Sequence, residues 1–252
     1  MAIAERLKRT SAADGASDDA MTLAEHLREL RLRLLVSTVA FLVMAVVAFV
    51  FYDQLLSWLR EPYCRANHGH CTLYITGPLD GLALRIKISA FGGLLLASPI
   101  VFFELWRFVT PGLKKRERLY AIPFATASVI LFALGCTLAY YTFENALVFL
   151  ERIGGPSLQQ IYNPNQYLSL ILWMMFLFGV TFEFPVLLVG LQLARVVTPA
   201  QLLSWWRWAI IGITLAAAVF TPSGDPISMI VLAVPLIVFY FASIGIGKLA
   251  RR

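Results

Sequence analysis

One acidic residue, Glu183, lies inside an apolar stretch that runs from residue 167 to 193. A charged side chain at the centre of a bilayer costs about 2.5–3.5 kcal/mol on insertion scales, so such a residue usually faces a helix-bundle interior or a cavity. Pro185 cannot donate to the carbonyl of Thr181, which predicts a kink beside the acid. Glu183 is therefore expected to form an interhelical hydrogen bond, line a polar path, contact a partner helix or relay protons.

A short loop, CRANHGHC, contains four soft ligands, Cys64, His68, His70 and Cys71. They are close enough to surround zinc. The loop is predicted to face an oxidising compartment, where a disulfide between Cys64 and Cys71 is favoured over zinc or free thiols. We therefore expect no metal site. Cys136, inside a predicted span, is expected to be a small apolar packing residue.

Motifs for other chemistry are missing from the sequence. It has no GxxxxGK[ST] loop to bind nucleotide phosphates, and neither GxSxG nor HExxH, which a hydrolase or metalloprotease would use. An intramembrane protease is therefore disfavoured. We expect a protein that is not an enzyme and that needs no cofactor.

The composition is that of a membrane protein. Of 252 residues, 59% are hydrophobic and 14% are charged, whereas soluble domains carry roughly 25% charged residues. Apolar stretches of about 20 residues cross a bilayer as helices. The predicted fold class is an all-α integral membrane protein with six transmembrane helices. The predicted spans are residues 34–52, 82–106, 119–143, 167–193, 208–222 and 226–247.

The regions around these spans complete the predicted organisation. Residues 1–20 include SAADGASDDA, a small, polar and acidic segment without periodicity, which predicts a mobile tail. Residues 21–247 form one membrane domain that begins with an amphipathic helix, and 248–252 form a second tail. The fifth span is short, about 20–26 Å against a hydrocarbon core of about 30 Å. Local bilayer thinning or a partner helix would relieve this mismatch.

The basic residues predict the orientation. Most of the 21 Lys and Arg residues lie in the N-terminal segment, in residues 107–118 and 194–207, and at the C-terminus, whereas the alternate loops hold few. Positive charge marks the cytoplasmic side, so both termini are predicted to be cytoplasmic. The net charge is +6. The basic residues lie between spans and form no continuous basic face. Lipid is therefore the expected surrounding, and no nucleic acid is expected as a partner.

Four segments occur in order along the chain: HLRELRLRL (26–34), SPIVFFELWRFVTPGLKKRER (98–118), GVTFEFP (179–185) and FTPSGDPIS (220–228). With these motifs on six predicted spans, the chain resembles the TatC family, the signal-peptide receptor subunit of the twin-arginine protein translocase of the inner membrane. The resemblance implies a glove-shaped bundle in a multimeric complex. It also implies binding of twin-arginine signal peptides of folded precursor proteins, recruitment of TatA- and TatB-type single-span proteins, and transport driven by the proton motive force.

The resemblance implies a signal-peptide site on the cytoplasmic face. Two acids, Glu29 and Glu117, fall on the positions that the family uses for the paired arginines, and a carboxylate matches a guanidinium group through two hydrogen bonds. Other residues matching the same motifs are His26, Leu30, Arg31, Glu104, Phe108 and Lys115.

Simpler roles remain open for the acids of this site. Glu117 could form a local helix pair with Lys114, worth about 0.2–0.5 kcal/mol, and Glu29 could lie on a solvated helix face. Glu104 stands where the family pattern leads us to expect glutamine. It could add to the arginine site or pair with Arg107. The family's second arginine after Glu117 is replaced here by Leu119.

A second implied site, for partner helices, lies at the outer end of the bundle. The residues that match the family there are Tyr140, Thr221, Pro222 and Asp225. Turn chemistry and the interfacial aromatic belt are the alternative roles for all four. Met229 occupies a position that is commonly polar in the family, which weakens the expectation of a polar partner cluster.

One rival function belongs to a different class. A proton-coupled transporter of small solutes could use Glu183 as its coupling acid. Such transporters commonly contain inverted repeats with matching broken helices. Residues 34–143 and 167–247 show no such internal symmetry, which favours the translocase.

Overall fold

The computed structural model describes residues 23–66, 73–75, 77–109, 121–155 and 163–250. These described residues form nine helices and no strand. The helices are α1 (Leu23–Val50), α2 (Tyr52–Ala66), α3 (Asp80–Val109), α4 (Ala121–Gly154), α5 (Pro164–Phe182), α6 (Phe184–Leu193), α7 (Pro199–Ser204), α8 (Trp206–Phe220) and α9 (Pro226–Ala250).

Helix length and hydropathy confirm the predicted all-α membrane fold class. Five helical segments in the described part of the chain are long and apolar enough to cross a bilayer, Leu27–Val50, Asp80–Phe108, Ile122–Gly154, Pro164–Leu193 and Pro226–Leu249. Helix α8, the predicted short fifth span, has only 15 residues. At 1.5 Å per residue it is about 22 Å long, shorter than a hydrocarbon core of about 30 Å.

Two elements differ from the sequence expectation. The segment between the first two spans, expected to be a loop, contains helix α2, whose Leu59, Pro62 and Tyr63 are buried. Helix α4 continues well beyond residue 143, because Ala146 and Leu147 remain buried there. Helices α2 and α4 pack against each other, so each provides the apolar surface that the other needs. Hydropathy alone cannot reveal this mutual burial.

Small residues allow two helix pairs to approach closely. A Cβ atom on Gly93 of α3 would lie 2.5 Å from the Ala45 Cα atom of α1. On Gly135 of α4, it would lie 2.7 Å from the Phe178 carbonyl oxygen of α5. Such approaches are typical of membrane helix pairs, where dispersion contacts replace the hydrophobic effect. The close contact between α1 and α3 also brings Glu29 and Arg33 of α1 near Glu104 of α3.

The predicted break in the fourth span is present. Helix α5 ends at Phe182 and α6 begins at Phe184, with Glu183 between them and Pro185 in the first turn of α6. Because proline lacks a backbone N–H, the helix ladder is interrupted at this point. Glu183 therefore occupies the junction between the two helices.

Candidate functional site

Three charged residues meet where α1 and α3 lie side by side. Arg33 donates from Nη2 to Glu29 Oε1 and from Nη1 to Glu104 Oε2, both at 2.8 Å. The side chains are 19%, 19% and 11% exposed for Arg33, Glu29 and Glu104, respectively. We call this cluster the Arg33 bridge. It joins two helices through one guanidinium group.

The bridge follows from local spacing and from the helix contact. Glu29 and Arg33 are four residues apart on α1, which places them on the same helix face. Glu104 comes from α3, 71 positions along the chain from Arg33. An ion pair between Glu104 and Arg107 was one alternative expected from the sequence. In the structure, the partner of Glu104 is Arg33, and Arg107 is exposed. Arg33 was not among the predicted site residues, although its i+4 relation to Glu29 was a usable signal.

The three charges of the bridge do not balance. Two carboxylates share one guanidinium group, so the three side chains together carry one net negative charge when ionised. Glu29 Oε2 is buried and has no hydrogen-bond partner. A buried carboxylate oxygen without a donor is unfavourable. The cluster therefore has the capacity to accept a further N–H donor.

The structure places only some predicted signal-peptide residues around this bridge. Leu30 and Arg31 are exposed on α1, and Phe108 lies one turn beyond Glu104 on α3 and is half-buried. His26 belongs to α1, but its side chain lies outside the described residues, as do Lys115 and Glu117 entirely. The roles of these residues in peptide binding remain predictions.

A second polar cluster lies at the break of the fourth span. Trp106 of α3 donates from Nε1 to Ser128 Oγ of α4 at 2.9 Å, and the Ser128 side chain lies beside the Glu183 carboxyl group. The Oε1 atom of Glu183 is buried without a partner. Ser128 is thus placed to form the interhelical hydrogen bond that was one of the alternatives for Glu183, and the role of Glu183 stays a prediction. Neither Ser128 nor Trp106, which donates to Ser128, was identified from the sequence, because each lies in a different helix from Glu183.

The turn between α8 and α9 satisfies its own polar groups. Asp225 is fully buried, accepts from the Ser228 backbone N–H at 2.6 Å and accepts from the Ser223 hydroxyl. Thr221 Oγ1 donates to the Ala217 carbonyl at 2.9 Å, and Pro222 is exposed. These contacts correspond to the turn chemistry that the sequence analysis gave as the alternative to partner binding. Whether a partner also contacts the turn remains a prediction.

Two replacements of Asp225 distinguish the loss of its hydrogen bonds in the turn from the loss of its negative charge. In the variant Asp225→Ala, the Ser228 N–H and the Ser223 hydroxyl lose their acceptor. We expect a loss of about 1–3 kcal/mol of stability. Asp225→Asn keeps an acceptor oxygen and should lose much less. Thermal unfolding of the detergent-solubilised variants measures both effects, and equal loss in the two variants would contradict the capping role.

Tyr140 lies inside the bundle and not on its surface. It is buried, its hydroxyl donates to the Trp58 carbonyl at 3.0 Å, and its ring stacks on Trp58 with centroids 4.3 Å apart. Trp58 belongs to α2. Tyr140, which was predicted to contact a partner helix, therefore anchors α2, a helix that was not expected from the sequence. The predicted disulfide includes Cys71, which lies outside the described residues, so its pairing with Cys64 remains a prediction.

The chain is similar to known proteins over most of its length. Residues 25–235 match the family model described as TatC, Sec-independent protein translocase protein. The "Sec-independent protein translocase protein TatC" of Frankia casuarinae is 39% identical over 248 residues, which cover 93% of this chain and 68% of the relative. The protein of the same name from Aquifex aeolicus is 37% identical over 235 residues, which cover 92% of this chain and 97% of the relative.

Two solved structures are similar to this fold. A structure described as "Crystal Structure of Twin Arginine Translocase Receptor- TatC" superposes with a TM-score of 0.73 at 36% identity and covers 90% of this chain and 100% of the other. A second structure of that receptor, in DDM, gives a TM-score of 0.75 at 35% identity and covers 88% and 99% of the two chains. At these identities and coverages, the similarity includes both sequence and architecture.

Proposed function

The chain belongs to the TatC family of Sec-independent protein translocase proteins, and on this premise we propose that it is the core receptor of a twin-arginine translocation system. It is a multi-pass protein of the bacterial inner membrane and a component of a protein-transport system. In the proposal, its cytoplasmic face binds twin-arginine signal peptides of folded precursor proteins. It then recruits TatA- and TatB-type partners for export driven by the proton motive force.

The observation that carries this proposal is the Arg33 bridge. Two carboxylates from different helices hold one guanidinium group with 2.8 Å hydrogen bonds, which is the contact that an arginine ligand needs. Arg33 fixes the Glu29 side chain and leaves its Oε2 atom, which is buried, without a donor. We propose that one arginine of the signal peptide donates to this oxygen. Glu117 would bind the other arginine.

Partner recruitment is proposed for α8. Its Trp208, Ile211 and Leu215 are exposed and spaced three and four residues apart, so they form one apolar helix face. Because α8 is short for the bilayer, a single-span partner lying along this face would cover the apolar side chains and relieve the mismatch. Pro222 continues this surface at the turn, while Thr221 and Asp225 hold the turn's shape and Tyr140 holds α2.

Site-specific photocrosslinking tests the receptor proposal. A twin-arginine signal peptide carrying a photoreactive residue beside the arginines is added to membranes that contain the chain. Glu117→Ala is expected to abolish crosslinking, and Glu29→Gln to reduce it roughly tenfold, because each loses a charge-assisted hydrogen bond. A twin-lysine peptide should crosslink weakly to the unchanged chain, since lysine lacks the planar fork.

The control is Glu151→Gln, an exposed acid at the far end of α4, which should crosslink like the unchanged chain. Insertion of every variant is checked by membrane fractionation. Unchanged crosslinking in Glu117→Ala would remove Glu117 from the site. Unchanged crosslinking in both acid variants would contradict the receptor site.

A further inference from the structure

A groove of about 640 Å³ lies between α3, α5 and α8, away from the Arg33 bridge. Its polar end is formed by Lys87 of α3 with Asn165 and Ser169 of α5, near Pro222 of the outer turn. Its apolar part is lined by Trp173 and other apolar side chains. The groove therefore changes from polar to apolar along its length.

Lys87 has no counter-ion in the described part of the chain. Its Nζ atom donates to the Asn165 side-chain oxygen and to Ser169 Oγ, both of which are neutral acceptors. The ion pairs found among the described residues do not include Lys87. An ammonium group has three N–H donors, so one donor is left for a ligand. A cation within a membrane-spanning helix normally pairs with an anion, so a ligand here is expected to be anionic.

The depth of the groove matches one leaflet. Helix α5 contributes Asn165, Ser169, Trp173 and Leu177, which are spaced by four residues and share one face. The distance along the helix axis from Asn165 to Leu177 is about 18 Å at 1.5 Å per residue, close to half of a hydrocarbon core of about 30 Å. The polar residues lie at the start of α5, and the apolar ones follow toward the middle of the bundle.

We infer that this groove binds one phospholipid of the leaflet at the α8–α9 end of the bundle. The phosphate accepts from the free N–H of Lys87, and the amino-terminal end of α5 adds a favourable positive potential. One acyl chain lies along Trp173 and Leu177. The bound lipid lies beside Val219 and Pro222, at the end of α8.

Native mass spectrometry of the full chain in a mild detergent tests this inference. Phosphatidylglycerol is titrated against a diacylglycerol with the same acyl chains, which lacks the phosphate. The unchanged chain should retain one phosphatidylglycerol and bind the diacylglycerol roughly tenfold more weakly. Excess inorganic phosphate should not displace the lipid, because it lacks the acyl chain. Full displacement would identify a free-anion site and overturn the lipid assignment.

Matched variants locate the site. Lys87→Met should weaken phosphatidylglycerol binding roughly tenfold, while Lys87→Arg should keep most of it. Leu177→Trp fills the apolar part without changing charge and should also weaken binding. The control Lys248→Met removes an exposed cation from the last turn of α9 and should bind like the unchanged chain.

Two further results would overturn the inference. The first is lipid binding by Lys87→Met equal to that of the Lys248→Met control, in protein that elutes as a single folded species. The second is the finding that a protein, and not a lipid, occupies the groove. A photoreactive amino acid substituted at Trp173 should crosslink to phospholipid in membranes, and crosslinking only to another protein would assign the groove to a partner helix.

Discussion

Arg33→Met is expected to be among the most destabilising single charge changes in the protein. It leaves the carboxylates of Glu29 and Glu104 close together, largely buried and without their shared cation. Removing one partner of a buried ion pair costs about 3–5 kcal/mol. Because the bridge is partly exposed, we expect about 3 kcal/mol, which lowers the unfolding midpoint by roughly 6–12 °C.

A double-mutant cycle separates the bridge from other effects of Arg33. The second change, Glu104→Gln, removes one of the two carboxylate charges and keeps an oxygen that can accept a hydrogen bond. The variant with both changes should therefore be more stable than Arg33→Met alone, with a coupling of about 0.5–3 kcal/mol. Thermal unfolding of purified protein in detergent provides all four midpoints.

The control for this cycle is Arg31→Met. Arg31 lies two residues before Arg33 on the same helix but is exposed, so its loss should change the midpoint little. If Arg33→Met and Arg31→Met unfold at the same temperature, the bridge does not hold α1 to α3. In that case the proposed positioning of Glu29 for a ligand arginine also loses its basis.

Gly135→Ala is expected to have the second large effect, although it adds only one methyl group. The new Cβ atom would lie 2.7 Å from the Phe178 carbonyl oxygen and 3.0 Å from the Gly179 Cα atom. These atoms belong to the backbone of α5, so the clash is relieved only if the helices move apart. Overpacking of this kind costs about 1–3 kcal/mol, and loss of the close α4–α5 contact adds to it.

Gly245→Ala is the matched control, since a Cβ atom there meets nothing within 4 Å. It should be neutral or slightly stabilising, because alanine is the better helix former. Fluorescence-detected size-exclusion chromatography after heating compares the two variants in the same detergent. Equal midpoints would show that α4 and α5 are not held at the distance seen in the structure.

The parts of the candidate site that sequence could predict depend on composition and short spacing. A mid-span acid followed by proline predicted the helix break at Glu183. Four motifs in order predicted the TatC family, which the family match over residues 25–235 confirms. The family resemblance indicated Glu29, and its i+4 spacing to Arg33 was a usable signal for that partner. Its burial beside Glu104 could not be obtained from periodicity.

The amino-acid sequence by itself determined the membrane class, the positions of the apolar helices and the short length of α8. These properties depend on the hydropathy and periodicity of neighbouring residues, which are local. Tertiary structure alone decided that Glu104 pairs with Arg33 and that Tyr140 supports α2. It also decided that Lys87 lines a groove with Asn165 and Ser169. Each of these depends on how helices rotate and how closely they approach at glycines such as Gly93, and that geometry is set by packing between residues far apart in the chain.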